Sequence, residues 1–328
     1  MTTANGVWRF FGLVLVLSLP FYALGVTGAA LPFASALPLS ALGAVVPMIA
    51  ALLLIWRQGG RTGIKTLLAK AHDFSGVTGF GWVIAAGFMP AAFALTAGLV
   101  WLSGTPLPAL QVLPVSAIIP AFALFFVGAV GEEMGWQGYA YPALKKHHSA
   151  LTAALVIGIA GALWHVIPFA LMGRDAGWIF WQSLVIVLMR ISIVWLFLNT
   201  GQNILIAVLF HMMSNSVWGI FTYFTMYYDP MLMCVVLLTS VTAVVALLGP
   251  TTRRWFKYGL ATNPRALRDL EKAEKSRYFL TIFSNGVRVL FDLRRRWTLK
   301  KLSQYCDPPP FTLIITINIL TVACAARR

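Results

Sequence analysis

The chain is dominated by apolar segments, each about as long as a helix that crosses the hydrocarbon core of a bilayer. In lipid only helices and closed barrels satisfy the backbone hydrogen bonds, and these segments are continuously apolar instead of alternating as barrel strands do. The sequence therefore predicts an all-α fold, a polytopic transmembrane helical bundle of about eight spans. The predicted spans lie near residues 7–28, 37–56, 79–102, 114–141, 150–172, 177–198, 203–222 and 229–250.

The composition excludes a soluble protein and does not favour a nucleic-acid partner. Of the 328 residues, 59% are hydrophobic and 11% are charged, which leaves too little polar surface for a water-soluble domain. The formal net charge is +15, but sixteen of the 25 Lys and Arg residues follow Pro250. Basic residues beside the last span meet anionic lipid headgroups at a cytoplasmic membrane surface. The expected partners are therefore membrane lipids and not nucleic acid.

The loop charges predict the domain organisation and the orientation. Residues 1–250 are expected to form the transmembrane domain, with the first span retained rather than cleaved, and residues 251–328 a basic cytoplasmic tail. An apolar segment in the tail, residues 311–326, is short for a span, so a ninth helix, an interfacial segment and an unstructured appendix all stay open. Both termini are predicted to be cytoplasmic because Lys and Arg follow the even-numbered spans. These basic residues are Arg57, Arg61, Lys65, Lys70, Lys145, Lys146, Arg253 and Arg254.

Ionisable side chains inside the spans predict a functional site. Glu132 and Glu133 are adjacent in the fourth span, where inserting a central acidic residue costs roughly 2.5–3.5 kcal/mol. Such a pair persists only if neighbouring helices or a water-filled cavity receive it, so a site is the default interpretation. The alternative is a pair that is solvated near the helix end or neutralised structurally by a cation.

Two histidines are predicted to reach a similar depth in the membrane. Glu132 and His165 are each about 15 residues from the turn near residues 146–149, or roughly 22 Å along a helix. His211 lies about 10 residues beyond the turn near Gly201, or roughly 15 Å into the membrane. All three side chains can therefore face one cavity, although a single histidine in an apolar helix is more often a packing residue.

Two further polar residues join the predicted cluster. Asn215 follows His211 by four residues, so both side chains leave the same face of the seventh span. Arg190 lies about midway along the sixth span and needs an acceptor such as Glu133 or a backbone carbonyl. We expect Arg190 to be a structural counter-ion.

Three stretches of this region resemble motifs of the CAAX protease and bacteriocin-processing (CPBP) family of intramembrane proteases, also called the Abi family. Residues 132–139, followed by Pro142, are similar to the first motif, in which two glutamates precede an arginine. Residues 163–169 resemble the second motif, and residues 190–215 resemble the third, in which a histidine precedes an asparagine by four. The similarity extends over about residues 127–218.

Two positions depart from the family pattern. Gln137 stands where the family has its arginine, and Gly161 stands where an aromatic residue usually precedes the second-motif histidine by four. Because Gln137 cannot neutralise a carboxylate, either Arg190 takes that role, one glutamate is protonated, or activity is impaired. Arg190 and Gln137 are therefore the two candidate counter-ion positions, and Trp164 is a candidate to fill the aromatic space.

The resemblance implies an intramembrane endopeptidase, with prenylated protein C-termini or bacteriocin-type peptides as membrane-associated substrates. Glu132 is then the expected general base on a water molecule, and Glu133 is expected to orient or balance it. His165 is expected to position the water or to protonate the leaving amine. His211 and Asn215 are expected to donate hydrogen bonds to the tetrahedral oxyanion.

The resemblance also implies the label metalloprotease. Two histidines and a glutamate form a zinc ligand set with an open position for water, which makes Glu132, His165 and His211 candidate ligands of one divalent metal such as zinc. The compact histidine–glutamate helix motif of soluble zinc proteases is absent from the sequence. The sequence leaves the choice between a metal-bound and a glutamate-activated water open.

Two other function classes stay open. Intramembrane acids and histidines also serve as proton or ion relays, so an ion-coupled transporter is one alternative, although no second copy of the glutamate segment marks an internal repeat. The other alternative, kept open by Gln137, is a catalytically impaired membrane binding or immunity protein. The expected location in each case is a prokaryotic plasma membrane.

Overall fold

The apolar segments fold as helices that pack side by side. The structure, a computed structural model, describes residues 4–31, 34–71, 77, 79–104, 115–219 and 228–247. Its helices are α1 (Ala4–Val26), α2 (Val46–Ala71), α3 (Gly79–Leu102), α4 (Val115–Gly135), α5 (Tyr141–Lys145), α6 (Ala150–Leu171), α7 (Ala176–Asn199), α8 (Ile204–Gly219) and α9 (Pro230–Leu247). The predicted basic tail and its apolar segment at 311–326 lie outside the described residues.

Six helical segments of the described chain are long and apolar enough to cross a membrane, and two shorter apolar helices follow them. The six are Gly6–Val26, Leu39–Ala71, Gly79–Leu102, Ile119–Lys145, Ala150–Leu171 and Ala176–Asn199, and the shorter ones are Ile204–Gly219 and Pro230–Ala243. The chain is an integral membrane protein. The predicted all-α polytopic bundle is confirmed.

The second apolar segment differs from its prediction at both ends. It starts with a small antiparallel hairpin, β1 (Ala30–Leu31) and β2 (Ala34–Pro38), and a 3-10 helix, Leu39–Val45, before α2 begins. α2 then continues past residue 56 into the basic stretch, because the basic residues there are good helix formers although they are too polar for lipid. A kink at Gly60, whose φ of 56° suits glycine, interrupts this extension.

Glycines bring α4 close to the end of the 3-10 helix and the start of α2, and this contact positions the glutamate pair. A Cβ atom at Gly131 would lie 2.7 Å from the carbonyl oxygen of Ala44. One at Gly135 would lie 2.6 Å from the carbonyl carbon of Pro47. Both distances are too short for a real Cβ atom, so the two backbones can meet here only through glycine. The two glutamates lie between these glycines and are therefore held at the contact.

A second close contact joins α6 to α7, which pack along each other. At Gly158 a Cβ atom would lie 3.1 Å from Cα of Val187 and 3.3 Å from Cβ of Arg190. The small residue lets the two helices approach closely, as is common in membrane bundles. The contact places Arg190 against α6, on the interior side of α7.

A π-helical segment, Trp136–Ala140, joins α4 to α5. Such segments are rare in proteins, and those that do occur are frequently found at functional sites. This one begins directly after the glutamate-bearing end of α4, and its first two side chains, Trp136 and Gln137, are almost fully buried. The wider turn therefore changes the direction of side chains just beyond the glutamate pair.

Candidate active site

Glu133 is fully buried and is held by two side chains from other helices. Nη1 of Arg190 donates to both carboxylate oxygens of Glu133, at 2.9 and 2.7 Å. Nδ1 of His211 lies 2.6 Å from Oε1 of the same carboxylate. Because a carboxylate paired with arginine only accepts, His211 carries its proton on Nδ1 in this bond. The oxygens of Glu133 are thus fully engaged by the protein.

Glu132 has different surroundings, because it lines the central cavity while Glu133 lies behind it. Its Oε2 accepts a long hydrogen bond of 3.3 Å from the indole Nε1 of Trp136. Its Oε1 lies 3.8 Å from Nε2 of His211, beyond direct hydrogen-bond distance. Of the two glutamates, Glu132 is therefore the one whose carboxylate is accessible to a ligand.

His165 faces the same cavity from α6. Its Nδ1 lies 2.8 Å from the carbonyl oxygen of Gly161. A carbonyl only accepts, so Nδ1 carries the proton and Nε2 of the neutral ring presents a lone pair. The ring meets Trp164 edge-on, with centroids 4.8 Å apart, and stacks on Phe169 at 5.6 Å. These contacts fix the direction in which Nε2 points.

The cavity between the helices has a volume of about 390 Å³. Its walls come mainly from α1, the 3-10 helix Leu39–Val45, α3, α4, α6, α7 and α8, and most of them are apolar. The polar groups that face it include Glu132, His165, Arg190, His211 and Asn215. An apolar cavity with a few converging polar groups is typical of a ligand site. The structure therefore brings five of the residues singled out from the sequence to one place.

Gln137 is separate from this group. Its side chain is 1% exposed, and neither Oε1 nor Nε2 has a hydrogen-bond partner within the described part of the chain. Arg190, and not Gln137, is the residue that contacts the buried carboxylate. The counter-ion role considered for Gln137 has no contact in its support.

The candidate metal ligands lie near one another but do not form a ligand set. Across the described ranges no group of three or more His, Cys, Asp or Glu side chains has an arrangement that would hold a metal ion. Both histidines use Nδ1 for a hydrogen bond within the protein, which leaves Nε2 of each ring for another partner. As placed, these residues do not fit a metal ion, and the set of Glu132, His165 and His211 stays a prediction.

The cavity wall also contains three polar residues that were not predicted from the sequence, Ser18, Tyr22 and Gln182. The Tyr22 hydroxyl donates to the carbonyl oxygen of Trp164 at 2.8 Å, and Ser18 accepts from the Trp164 indole at 2.7 Å. A sequence signal for two of them exists. Ser18 and Tyr22 are polar, lie four residues apart in an apolar span, and so share one helix face.

The part of the chain that contains most of the site is similar to a known protein family. Residues 114–217 match the family model described as type II CAAX prenyl endopeptidase, Rce1-like. Glu132, His165, Arg190, His211 and Asn215 all lie within the match. The chain is therefore similar to this family over residues 114–217, called here the Rce1-like segment. The family resemblance predicted from the sequence motifs is confirmed for this segment, which runs from α4 into α8 and leaves out α1, α2, α3 and α9.

A curated relative matches about the same length of chain. CAAX prenyl protease 2 of Methanococcus maripaludis is 33% identical over 106 residues, which make up 30% of this chain. The match spans 39% of the relative's length, or about two fifths. The likeness therefore extends over only part of either protein.

Proposed function

We propose that this chain is an intramembrane endopeptidase of the CAAX prenyl protease type. The observation that carries the proposal is the cavity inside the spans at which Glu132, His165 and His211 meet within an Rce1-like segment. The unequal environments of the two glutamates support it. Glu133 is engaged by Arg190 and His211, while Glu132 keeps a carboxylate that faces the cavity.

Glu132 is the proposed general base. A water molecule between its carboxylate and the Nε2 lone pair of His165 gives a proton to Glu132 while its oxygen attacks the scissile carbonyl. The π electrons of the carbonyl move onto its oxygen and form the tetrahedral oxyanion. When the oxyanion collapses, the C–N bond breaks and the amine leaves with the proton that Glu132 returns, directly or through His165. Glu132 is then a carboxylate again, as it was before the reaction.

Asn215 and His211 are the proposed donors to the oxyanion. The Nδ1–H of His211 already serves Glu133, so the neutral ring can only accept at Nε2, and His211 donates there only when it is doubly protonated. The amide NH2 of Asn215 donates whatever the charge on His211. We therefore assign the pH-independent part of the oxyanion stabilisation to Asn215.

The apolar cavity walls favour a substrate whose cleavage site is next to a hydrophobic anchor. Prenylated protein C-termini are the substrate class we propose first, and bacteriocin-type peptides are the second. The basic residues that follow the even-numbered predicted spans support an orientation with both termini cytoplasmic. The membrane we propose is a prokaryotic plasma membrane.

A non-catalytic membrane binding or immunity protein is the second candidate, and Gln137 is the observation that favours it. The family pattern has an arginine where this chain has a buried amide without a partner among the described residues. Arg190 supports the active enzyme instead, because it provides Glu133 with a cation from another helix.

The deciding experiment is peptide cleavage by the purified protein in liposomes. Prenylated and unprenylated peptides are compared for wild type, Glu132→Ala, His165→Ala and the matched control His148→Ala, whose histidine is exposed in the loop before α6. We expect wild type and His148→Ala to cleave, and the two site variants to lose about 10²–10⁴-fold in rate. Cleavage that survives in Glu132→Ala would reject the proposed base.

Two additions separate the remaining possibilities. A chelator applied to the wild type tests the metalloprotease label, since loss of cleavage that returns with added zinc would assign the water to a metal. Gln137→Arg tests the binding protein. A silent wild type beside an active Gln137→Arg variant would identify a decayed protease, and silence from both would reject the endopeptidase.

A further inference from the structure

α1 contributes to the candidate site although it lies outside the Rce1-like segment. Ser18 and Tyr22 line the cavity, are buried, and both bond to Trp164, the neighbour of His165. The two hydrogen bonds join α1 to the one helix that carries His165. Nothing in the family match assigns a role to either residue.

The bond from Tyr22 has a specific cause in the sequence of α6. In a helix the carbonyl of residue 164 accepts from the N–H of residue 168, and in this chain residue 168 is a proline inside the helix. Proline has no N–H, so the carbonyl of Trp164 loses its ordinary donor. The hydroxyl of Tyr22 lies 2.8 Å from that carbonyl and supplies a donor from another helix.

The Trp164 side chain is held by the second bond. Ser18 donates its own proton to the carbonyl of Val14 at 2.7 Å, so a lone pair of its oxygen is free to accept the Trp164 indole N–H. Both polar ends of Trp164, its carbonyl and its indole nitrogen, are therefore bonded to α1. This double attachment fixes the position and the rotation of α6 at this level.

The Trp164 ring is the link from α1 to both proposed catalytic side chains. On one side it meets the His165 ring with centroids 4.8 Å apart. On the other it meets Trp136 edge-on at 6.1 Å, and Trp136 donates to Glu132. A shift of Trp164 would therefore move the base and the histidine relative to each other.

We propose that Tyr22 is a positioning residue of the active site. Its hydroxyl takes the place of the helix hydrogen bond that Pro168 removes, and so keeps Trp164 and His165 aligned with the carboxylate of Glu132. The catalytic meaning of this role rests on the proposed endopeptidase function. The structural role, the replacement of the missing donor, does not.

Tyr22→Phe tests the proposal because it keeps the ring and removes only the hydroxyl. We expect kcat to fall about 10-fold or more, with KM nearly unchanged, since misplaced supporting groups typically lower the chemical step by 10–100-fold. The matched control is Tyr141→Phe, which also removes one buried hydroxyl. That hydroxyl does not line the cavity and has no hydrogen-bond partner among the described residues. This variant should keep the wild-type kcat.

Pro168→Ala tests whether the Tyr22 hydroxyl acts by replacing the donor that α6 lacks. Alanine restores the N–H at position 168, so the carbonyl of Trp164 regains a donor within α6. In this background Tyr22→Phe should lower kcat by less than about threefold. An equal loss in both backgrounds would overturn the proposal. If Tyr22→Phe alone does not fold, recovery of folding in the double variant supports the proposal and continued misfolding overturns it.

A measurement without substrate separates this proposal from the proposed function. Diethyl pyrocarbonate modifies histidine at a free ring nitrogen, and mass spectrometry can follow its reaction with His165 in the intact protein. We expect His165 to react faster in Tyr22→Phe than in wild type and at the wild-type rate in Tyr141→Phe. If no peptide is cleaved by the wild type, the endopeptidase fails while this comparison still stands. An unchanged rate in Tyr22→Phe would overturn the positioning role.

Discussion

Glu132 and Glu133 are consecutive residues, but changes at the two sites should affect different properties of the protein. A change at Glu132 should affect the rate of cleavage, and a change at the ion pair of Glu133 should affect stability. Glu132→Gln keeps the shape of the side chain and an oxygen that can accept from Trp136, and it removes the proposed base. We expect cleavage to slow by about 10²–10⁴-fold while the midpoint of thermal unfolding stays close to that of wild type. Kinetics and unfolding measured on the same preparation check this, and a variant that unfolds early would contradict it.

Arg190 should matter for stability more than for chemistry. Arg190→Met leaves the carboxylate of Glu133 buried without its cation, which is expected to lower the free energy of unfolding by about 3–5 kcal/mol. The double variant Arg190→Met/Glu133→Gln removes both charges and should recover most of that loss. Unfolding by denaturant in mixed micelles measures the free energy of unfolding of the wild type, the two single variants and the double variant. Losses in the single variants that simply add in the double variant would contradict an interaction between the two residues.

For single residues, the sequence indicates which side chains could be reactive, but it does not indicate the direction in which each side chain points. The cost of acids in lipid points to the glutamate pair, and counting residues from the turns brings His165 to the same depth. Depth does not tell which side of a helix faces the interior, because packing decides the rotation. The separate environments of Glu132 and Glu133 and the isolation of Gln137 are therefore visible only in the structure.

The position of the glutamate pair depends on the close contact between α4 and α2. Gly135→Ala places a Cβ atom 2.6 Å from the backbone of Pro47, so the helices must separate. We expect a loss of about 1–3 kcal/mol in stability, together with slower cleavage because Glu132 moves with α4.

Gly98→Ala in α3 is the matched control, because a Cβ atom there would meet nothing within 4 Å. This substitution should leave stability unchanged or raise it by up to about 1 kcal/mol. Unfolding curves for the two alanine variants make the comparison. Equal behaviour would show that the close approach at Gly135 does not matter.

The helices could be predicted from the sequence, because the thickness of the bilayer core sets the length of the apolar run that a spanning helix needs. The departures have other causes. The extension of α2 past Gly60 follows helix propensity and not hydropathy, and the turn at Trp136–Ala140 is a local change of winding that no apolar period reveals. The bond of Tyr22 to Trp164 joins two helices distant in sequence and has no local signature apart from Pro168.

The orientation of the whole bundle is a prediction that α6 allows to be tested. His148 precedes α6, Ala176 follows it, and both are exposed, so a spanning α6 puts them on opposite sides of the membrane. With the native cysteines replaced by serine, an impermeant maleimide should label Ala176→Cys in intact cells and His148→Cys only after lysis. The reverse pattern would contradict cytoplasmic termini, and labelling of both in intact cells would contradict α6 as a span.

The hydrogen bond between Tyr22 and Trp164 joins positions 142 residues apart, and this distance has a meaning for biogenesis. A chain made from its N-terminus inserts α1 well before α6 has been synthesised. During that interval Tyr22 has no Trp164 carbonyl to bond, and His165 does not yet exist. If the chain is the proposed endopeptidase and Tyr22 positions its site, the site becomes competent only after α6 has entered the bilayer and packed on α1. The protein then stays inactive throughout the earlier steps of its own insertion.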